Sequence, residues 1–278
     1  MKKLYQDRDW LYDQYWGNNL CLREISEAAS SSNATLLYWM DRFNITRRNK
    51  GSLCHYIDIT PDLLEFLEGW MLSDLCIFSK IHNAKSAIIQ FETKYKDCAM
   101  WMSNKLSSFG VERVGVIHKR VFDDNNRQTF SYRSRYYRNL LDVRNKWYNS
   151  DRKKIVPRDI TLTPMAARYW YIGDGSLICR ASSKPSIKLA THGFPEDDVC
   201  FLVGILKDIG IKASHQKCNS IYIHVRSTQD FLDYIGPCDK GLEHLYYYKW
   251  ETDRHGPIIP RTNNTLPVPL GGRAMEAT

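Results

Sequence analysis

Two stretches one hundred residues apart constrain this chain more than any other feature. The first runs Leu67-Glu68-Gly69-Trp70-Met71-Leu72-Ser73-Asp74, the second Ala167-Arg168-Tyr169-Trp170-Tyr171-Ile172-Gly173-Asp174-Gly175. Each reads as a mostly apolar helix that ends on an aspartate. Each also opens on the same pair, Thr60-Pro61 and Thr163-Pro164. Threonine caps free N–H groups, and proline is tolerated at the first helical position. The start-to-aspartate distance is three residues longer in the first stretch, which predicts a helix about one turn longer. A carboxylate in a last helical turn meets the partial negative charge of the carbonyl end, at a cost of roughly 0.3–1 kcal/mol. Two such ends packed together repel each other as well. A divalent cation between Asp74 and Asp174 resolves the conflict, with the helix-end carbonyls of Ser73, Leu75 and Gly173 as further ligands. Two unrelated helix ends with solvated aspartates explain either stretch alone, but not the repeat.

The offset persists beyond the motifs. Trp70 matches Trp170, Ser86 matches Ser186 and Asp97 matches Asp197; Trp101, Met102 and Leu106 meet Phe201, Leu202 and Leu206. Phe109-Gly110-Val111 then matches Ile209-Gly210-Ile211, each glycine where a helix should stop. Each copy reads as helix, two strands, helix, then further strands. Period-two alternation sets Ala87, Ile89 and Phe91 against Ser86, Gln90 and Glu92, and Phe130, Tyr132 and Tyr136 against Ser131, Arg133, Arg135 and Tyr137. In the second copy Ile187 and Leu189 oppose Ser186, Lys188 and His192, while Ile221, Ile223 and Val225 oppose Tyr222, His224 and Arg226. Such alternation predicts sheets with one buried and one polar face. Ordinary solvated sheets look polar too. These faces, however, recur in cationic side chains, and residues 118–154 hold eleven Lys/Arg against four acids, an excess suited to phosphate contact.

The chain has 278 residues and a net charge of +8, enough for more than one domain and compatible with a nucleic-acid partner. No apolar run reaches membrane-spanning length and the N-terminus lacks a signal-peptide core, so an intracellular protein is expected, in an organelle or the prokaryotic cytoplasm and not secreted. Eight cysteines are scattered singly, without zinc or redox spacing. Residues 1–50 read as three short helices, Asp7–Trp16, Leu22–Ala29 and Ala34–Phe43, with a tight polar turn between the last two. That is the pattern of a helix-turn-helix, whose last helix enters the DNA major groove. Asn33, Thr35, Tyr38 and Arg42 would then face bases, with Arg47 and Arg48 on phosphates. A small helical cap packed on the main domain is the alternative.

The paired motifs, with Leu162-Thr163-Pro164-Met165 before the second, resemble the LAGLIDADG homing endonucleases, more narrowly their single-chain, two-repeat members. The resemblance covers about residues 60–250. It implies an α+β fold in which two pseudo-twofold-related αββαββα repeats form a DNA-binding saddle, here preceded by the small all-α helix-turn-helix domain. The expected division is 1–50 for that module, 51–62 for a linker, 63–157 and 158–250 for the repeats, and 251–278 for an extended tail. The motif helices would pack together through Gly69, Ser73, Ala166 and Gly173. Asp74 and Asp174 would bind two or three Mg²⁺ ions, replaceable by Mn²⁺ or Ca²⁺ in binding. Lys154, ahead of Pro157, and Lys249, after Tyr248, match the family's basic residues near the metals; phosphate anchoring or solubility are their alternatives. The candidate DNA contacts of the sheets are Lys80, His82, Ser86, Gln90, Glu92, Arg133 and Arg135 in the first copy. In the second they are Arg180, Ser182, Lys188, His192, Tyr222, His224 and Arg226. The implied activity is a double-strand break in a long asymmetric duplex target, leaving short 3′ overhangs, by a monomer that needs no protein partner or membrane. A cleavage-deficient regulator or an intron RNA maturase on the same scaffold is the competing expectation. One departure stands out: Leu75 occupies the position where the family usually has glycine, so the first helix is expected to exit differently from the second, which keeps Gly175.

Overall fold

The computed structural model describes residues 3–18, 20–48, 55–80, 84–122, 127–180 and 183–252. Three helices come first: α1 (Arg8–Tyr12, continued by a π-helical turn), α2 (Leu22–Ala28) and α3 (Asn33–Arg42). Asp7 caps α1 through the N–H groups of Asp9 and Trp10, and Ser32 caps α3 at Thr35. The unit closes on its own small core of Tyr5, Leu11, Tyr15, Ile25, Leu36, Met40 and Ile45, separate from the main one.

The rest is one pattern used twice. The first copy is α4 (Pro61–Met71), β1 (Leu75–Ser79), β2 (Ala87–Thr93), α5 (Lys96–Ser108), β3 (His118–Phe122), β4 (Arg127–Arg133) and α6 (Leu140–Trp147). The second is α7 (Pro164–Asp174), β5 (Gly175–Arg180), β6 (Ser183–Ala190), α8 (Glu196–Asp208), β7 (Ala213–Gln216), β8 (Ser220–Ile223) and α9 (Thr228–Ile235), followed by the short α10 (Glu243–Tyr246). Each copy folds one four-stranded antiparallel sheet, in the orders β1-β2-β4-β3 and β5-β6-β8-β7. The inner faces share one continuous core with α4 and α7 at its centre. The α+β, two-repeat architecture is therefore as the sequence implies.

Both motif helices start on the threonine cap, Thr60 to Leu63 N–H and Thr163 to Ala166 N–H, with proline in the first turn. The Thr163 hydroxyl also donates to Glu65 Oε2 at 2.9 Å, tying the two starts together. Side by side, the helices approach until a side chain has no room. A Cβ on Gly69 would stand 2.5 Å from the Ala166 carbonyl oxygen, and one on Gly173 2.3 Å from Ser73 Oγ. Trp70 stacks on Tyr169 across this contact at 5.5 Å between centroids. After α5 and α8 the chain stops as expected, with Gly110 at φ +79 and Gly210 at φ +86.

Several expectations need correction. The first motif is no longer as an α-helix than the second: each spans eleven residues, and residues 72–74 form turns. The constant offset also breaks in the sheets. Phe91 pairs with Leu75 but Leu189 with Gly175, so the hairpin of the second copy is two residues shorter and Ser86 is not the counterpart of Ser186. The glycine after the second aspartate is needed for space and not for its backbone conformation. Gly175 is extended (φ −81, ψ 150), and a Cβ there would lie 2.0 Å from the Tyr171 ring. In the first copy the residue in the place of Tyr171 is the slimmer Met71, and the fully buried Leu75 fills the room. The two pairs exchange volume, and the first motif does leave its helix differently, in turns over residues 72–74, whereas the second stays helical to Asp174.

Candidate active site and nucleic-acid interface

Asp74 and Asp174 emerge together where the two motif helices end. Asp74 Oδ2 lies 3.5 Å from the point a Gly173 Cβ would occupy, and that Cβ would itself collide with Ser73, at 2.3 Å from Oγ and 2.5 Å from Cβ, so only a glycine lets the two helix ends come this close. Desolvation by the packed helix ends, and after it the neighbouring Asp74 charge, raise the Asp174 carboxyl to about 6 against the pull of Lys154 and Lys249. Asp74 opens onto a groove, yet desolvation holds its carboxyl above the usual range too, opposed by the two lysines.

Those lysines occupy matched positions. Lys154 Nζ donates to the carbonyls of Ser73 (3.2 Å) and Leu75 (2.9 Å) at the end of the first motif. Lys249 Nζ donates to those of Tyr171 (3.0 Å), Ile172 (2.6 Å) and Gly173 (3.5 Å) at the end of the second. A cation there offsets the helix's negative end and frees the aspartate from facing it alone. Burial lowers both ammonium groups to about 8, while the two aspartates hold the protons on. The lysines are thus neither surface phosphate anchors nor solubilising charges. Each is a helix-end cap beside a carboxylate, and the Ser73, Leu75 and Gly173 carbonyls expected to serve a cation already accept from them.

Among the described residues no group of three or more His, Cys, Asp or Glu gathers. Two desolvated carboxylates side by side, with the nearby ammonium groups engaged by backbone carbonyls, form a hard oxygen donor set. That set fits a divalent cation whose remaining ligands are water and substrate phosphate.

The open face of the first sheet leads away from Asp74. Cys76, Gln90 and Arg133 lie abreast on it, as do Glu92, Ser131 and His118, with Arg120 beyond. Together they line a groove of roughly 590 Å³ that also contains Asp74. Gln90, Glu92 and Arg133 are where the alternation put them, Lys80 is exposed beyond β1, and Ser86 is partly open just before β2. On the second sheet the corresponding face carries Ser176, Lys188, Tyr222 and Ser214. His82, Ser182 and the side chain of Arg180 lie outside the described residues, as do residues 51–54 and 253–278.

Other candidates sit elsewhere. Arg135 is past the end of β4 and mostly buried, bonding Glu24 of α2 at 2.5 Å and Glu112 at 2.7 Å. It joins the helical unit to the first repeat. Tyr137, expected outside, is 3 % exposed because the alternation breaks at Ser134, whose hydroxyl accepts from Ile89 N–H. His192 lies in the turn after β6, Arg226 in a 3₁₀ turn after β8, and Ser186 is buried. His224 also lies past β8, but its ring rests against Tyr222 and Ser214 Oγ (3.2 Å) and extends that face. On the helical unit Asn33, Tyr38 and Arg42 are exposed and Thr35 partly so. Arg47 instead pairs with Asp41 at 2.7 Å, and Arg48 stacks on Tyr15 at 3.8 Å and donates to the Leu20 carbonyl. Neither presents an uncommitted guanidinium to phosphate.

Sequence reasoning passed over His118 and Arg120 of β3 and Ser214 and Gln216 of β7 as face residues. The signal for the first pair was there: a short run before an Asp/Asn cluster and an alternating run after it is the sequence pattern of a hairpin.

A sequence profile described as the LAGLIDADG DNA endonuclease family matches residues 64–231. The chain is 26% identical over 215 residues to an uncharacterised protein of Methanocaldococcus jannaschii, across 74% of this chain and 82% of that protein. Among solved structures it is similar in fold to the homing endonuclease I-WcaI bound to its DNA recognition sequence. That likeness has a TM-score of 0.56 at 21% identity, over 71% of this chain and 93% of the other.

Proposed function

This chain belongs to the LAGLIDADG DNA endonuclease family, and we propose that it is a site-specific homing endonuclease. Acting as a monomer, it makes a metal-dependent double-strand break in a long asymmetric DNA target and leaves short 3′ overhangs. The observation that carries this reading is the matched pair of helix ends, Asp74 with Lys154 and Asp174 with Lys249, at one point between two sheets with polar, cation-bearing faces. Two equivalent carboxylates suit two phosphodiesters, one in each strand.

Asp74 and Asp174 would hold the divalent cations, most simply Mg²⁺. Bound there, such ions supply charge neutralisation at the scissile phosphates and a more acidic water. The chain's own residues do the rest. Lys154 and Lys249 hold the helix-end carbonyls, so each aspartate projects from a fixed backbone. Gly69 and Gly173 bring the two carboxylates close enough to act across one narrow stretch of duplex. The basic side chains of the sheet faces take the phosphate backbone and their polar neighbours the base edges. Incubating the full chain with a randomised duplex pool, in Mg²⁺ and in EDTA, tests the reading. Metal-dependent cleavage of an enriched sequence is expected; enrichment without cleavage in any divalent cation would favour a binding regulator.

Proton and cation compete for the same carboxylates. Asp174 is raised to about 6 from an ordinary 3.8. Its proton therefore favours the folded, metal-free protein, a contribution complete below the unfolded value and lost as pH rises through about 6. Mg²⁺ or Ca²⁺ should raise the melting midpoint most near pH 8 and progressively less as pH falls through about 6. Scanning fluorimetry against EDTA measures this; an increment unchanged down to about pH 5 would contradict the assignment.

We read the helical unit as a helix-turn-helix that extends the target, with Tyr38 and Arg42 of α3 as the contacting pair. Removing residues 1–50, or replacing both side chains with alanine, should shorten the nuclease-protection footprint at one end and leave cutting of bound DNA intact. An unchanged footprint rules the reader role out.

A further inference from the structure

The open face of the first sheet holds one side-chain pair whose geometry divides the labour of base recognition. Cys76, Gln90 and Arg133 are successive cross-strand neighbours on β1, β2 and β4. With the Gln90 amide turned so that its oxygen faces Arg133, that oxygen accepts from Nη2 at 2.8 Å and from Nε at 3.0 Å. The other end of the amide lies 3.8 Å from Cys76 Sγ. A glutamine that reads adenine needs both its oxygen and its NH₂ for the base. Here the oxygen is committed to arginine and the nitrogen end turned towards the thiol.

The guanidinium carries five donors in a planar fork. Gln90 takes the Nε–Nη2 edge, which leaves the Nη1–Nη2 edge of this exposed arginine outside the contact. That free edge matches the paired acceptors O6 and N7 of guanine in the major groove. Holding one edge of the fork also removes rotamer freedom that would otherwise be lost on binding. Asp74 lines the same groove, so the base pair concerned lies near the cleaved phosphates. At the register-equivalent place in the second sheet stand Ser176, Lys188 and Tyr222. No fork is held there, and the two half-sites differ at this position.

We propose that Arg133 reads a guanine in the half-site over the first sheet and that Gln90 is its positioning residue, not an independent reader of adenine. This rests on the DNA-cleaving reading above. The test is the base preference, position by position, of the full chain on a randomised duplex pool in Ca²⁺, compared among four proteins. Wild type should prefer guanine at one position near the centre by about ten- to a hundredfold. Arg133→Leu should abolish that preference, and Gln90→Leu, which keeps the volume but loses the acceptor, should weaken it at the same position. Gln90→Glu keeps an acceptor for the fork and should retain it, which a merely structural glutamine would not predict. If Gln90→Leu and Gln90→Glu instead change a different position, from adenine, while Arg133→Leu leaves that position alone, the positioning role is wrong. Loss of a guanine preference in Gln90→Glu equal to that in Gln90→Leu would also overturn it. A wild-type protein that enriches no sequence overturns the DNA-cleaving reading itself, a distinguishable failure. Both side chains lie on the open face, and melting midpoints near wild type will show that the variants fold.

Discussion

Replacing Asp174 with asparagine should abolish double-strand cutting, by on the order of 10²–10³-fold or more for the affected strand, while the metal-free protein becomes more stable. The first effect follows from losing one carboxylate of a two-carboxylate donor set. The second follows from the cost of keeping that carboxylate ionised. A shift from 3.8 to about 6 corresponds to roughly 3 kcal/mol of interaction in favour of the neutral form, and screening of a partly open group reduces this to roughly 1–2 kcal/mol. Asparagine is neutral at every pH and avoids the repulsion from Asp74. Activity and stability should therefore move in opposite directions, as at a site that stores unfavourable charge for function. Duplex cleavage assays and melting in EDTA near pH 8 read the two effects. A variant that lost cutting because it was poorly folded would lose both together. Asp74→Asn should lose cutting as well, with a smaller gain in stability because its carboxylate is more open.

Substitution of Gly69 gives the second large effect, and a control comes with it. Alanine is favoured over glycine inside a helix by about 1 kcal/mol. At Gly69 the added Cβ meets backbone of the facing helix, 2.5 Å from the Ala166 oxygen and 2.8 Å from its Cα, atoms that cannot rotate away. Overpacking of this kind costs typically 1–3 kcal/mol, more when the obstacle is backbone. The clash wins. Gly69→Ala should lower the melting midpoint, and Gly69→Val should do so severely and reduce cutting by spreading the aspartates. Gly204 of α8 is also helical, but nothing lies within 4 Å of its missing Cβ. Gly204→Ala should stabilise by about 0.5–1 kcal/mol, a rise of about 2–4 °C for each kcal/mol in a chain of this size. Equal effects at the two glycines would contradict the close helix contact on which the proposed active site depends.

These two glycines also show what a sequence can reveal. Helix starts, helix ends and the motif repeat are local signals, and Thr60-Pro61, Thr163-Pro164, Gly110 and Gly210 all behave as their chemistry predicts. The close packing of α4 on α7 through Gly69, Ser73, Ala166 and Gly173 was what the family resemblance implied. Pairings between distant strands carry no such local mark. The two-residue slip that separates Ser86 from Ser186 was hidden by an offset that recovers before α8. Alternation placed Gln90 and Arg133 on one face correctly, but it ran on past the ends of β4, β6 and β8 and so misplaced Tyr137, His192 and Arg226. Arg135 looked like every other arginine of a basic stretch. Only the fold reveals that its partners are Glu24 and Glu112, distant in the chain. The lysines were recognised by resemblance, but their bonds to helix-end carbonyls are contacts across about eighty residues that no spacing announces. The need for a glycine at 175 comes from the ring and carbonyl oxygen of Tyr171, a packing relation with the residue four before it that the motif alone does not show.

The central claim is that two equivalent helix ends form one bipartite cutting site. Mapping the ends produced in each strand of the enriched duplex tests it most directly. The account predicts one cut in each strand, a few base pairs apart with 3′ extensions, both lost in EDTA and at least one of them lost when either aspartate is changed. Cutting that persists in both strands of the Asp74→Asn, Asp174→Asn double variant would contradict it.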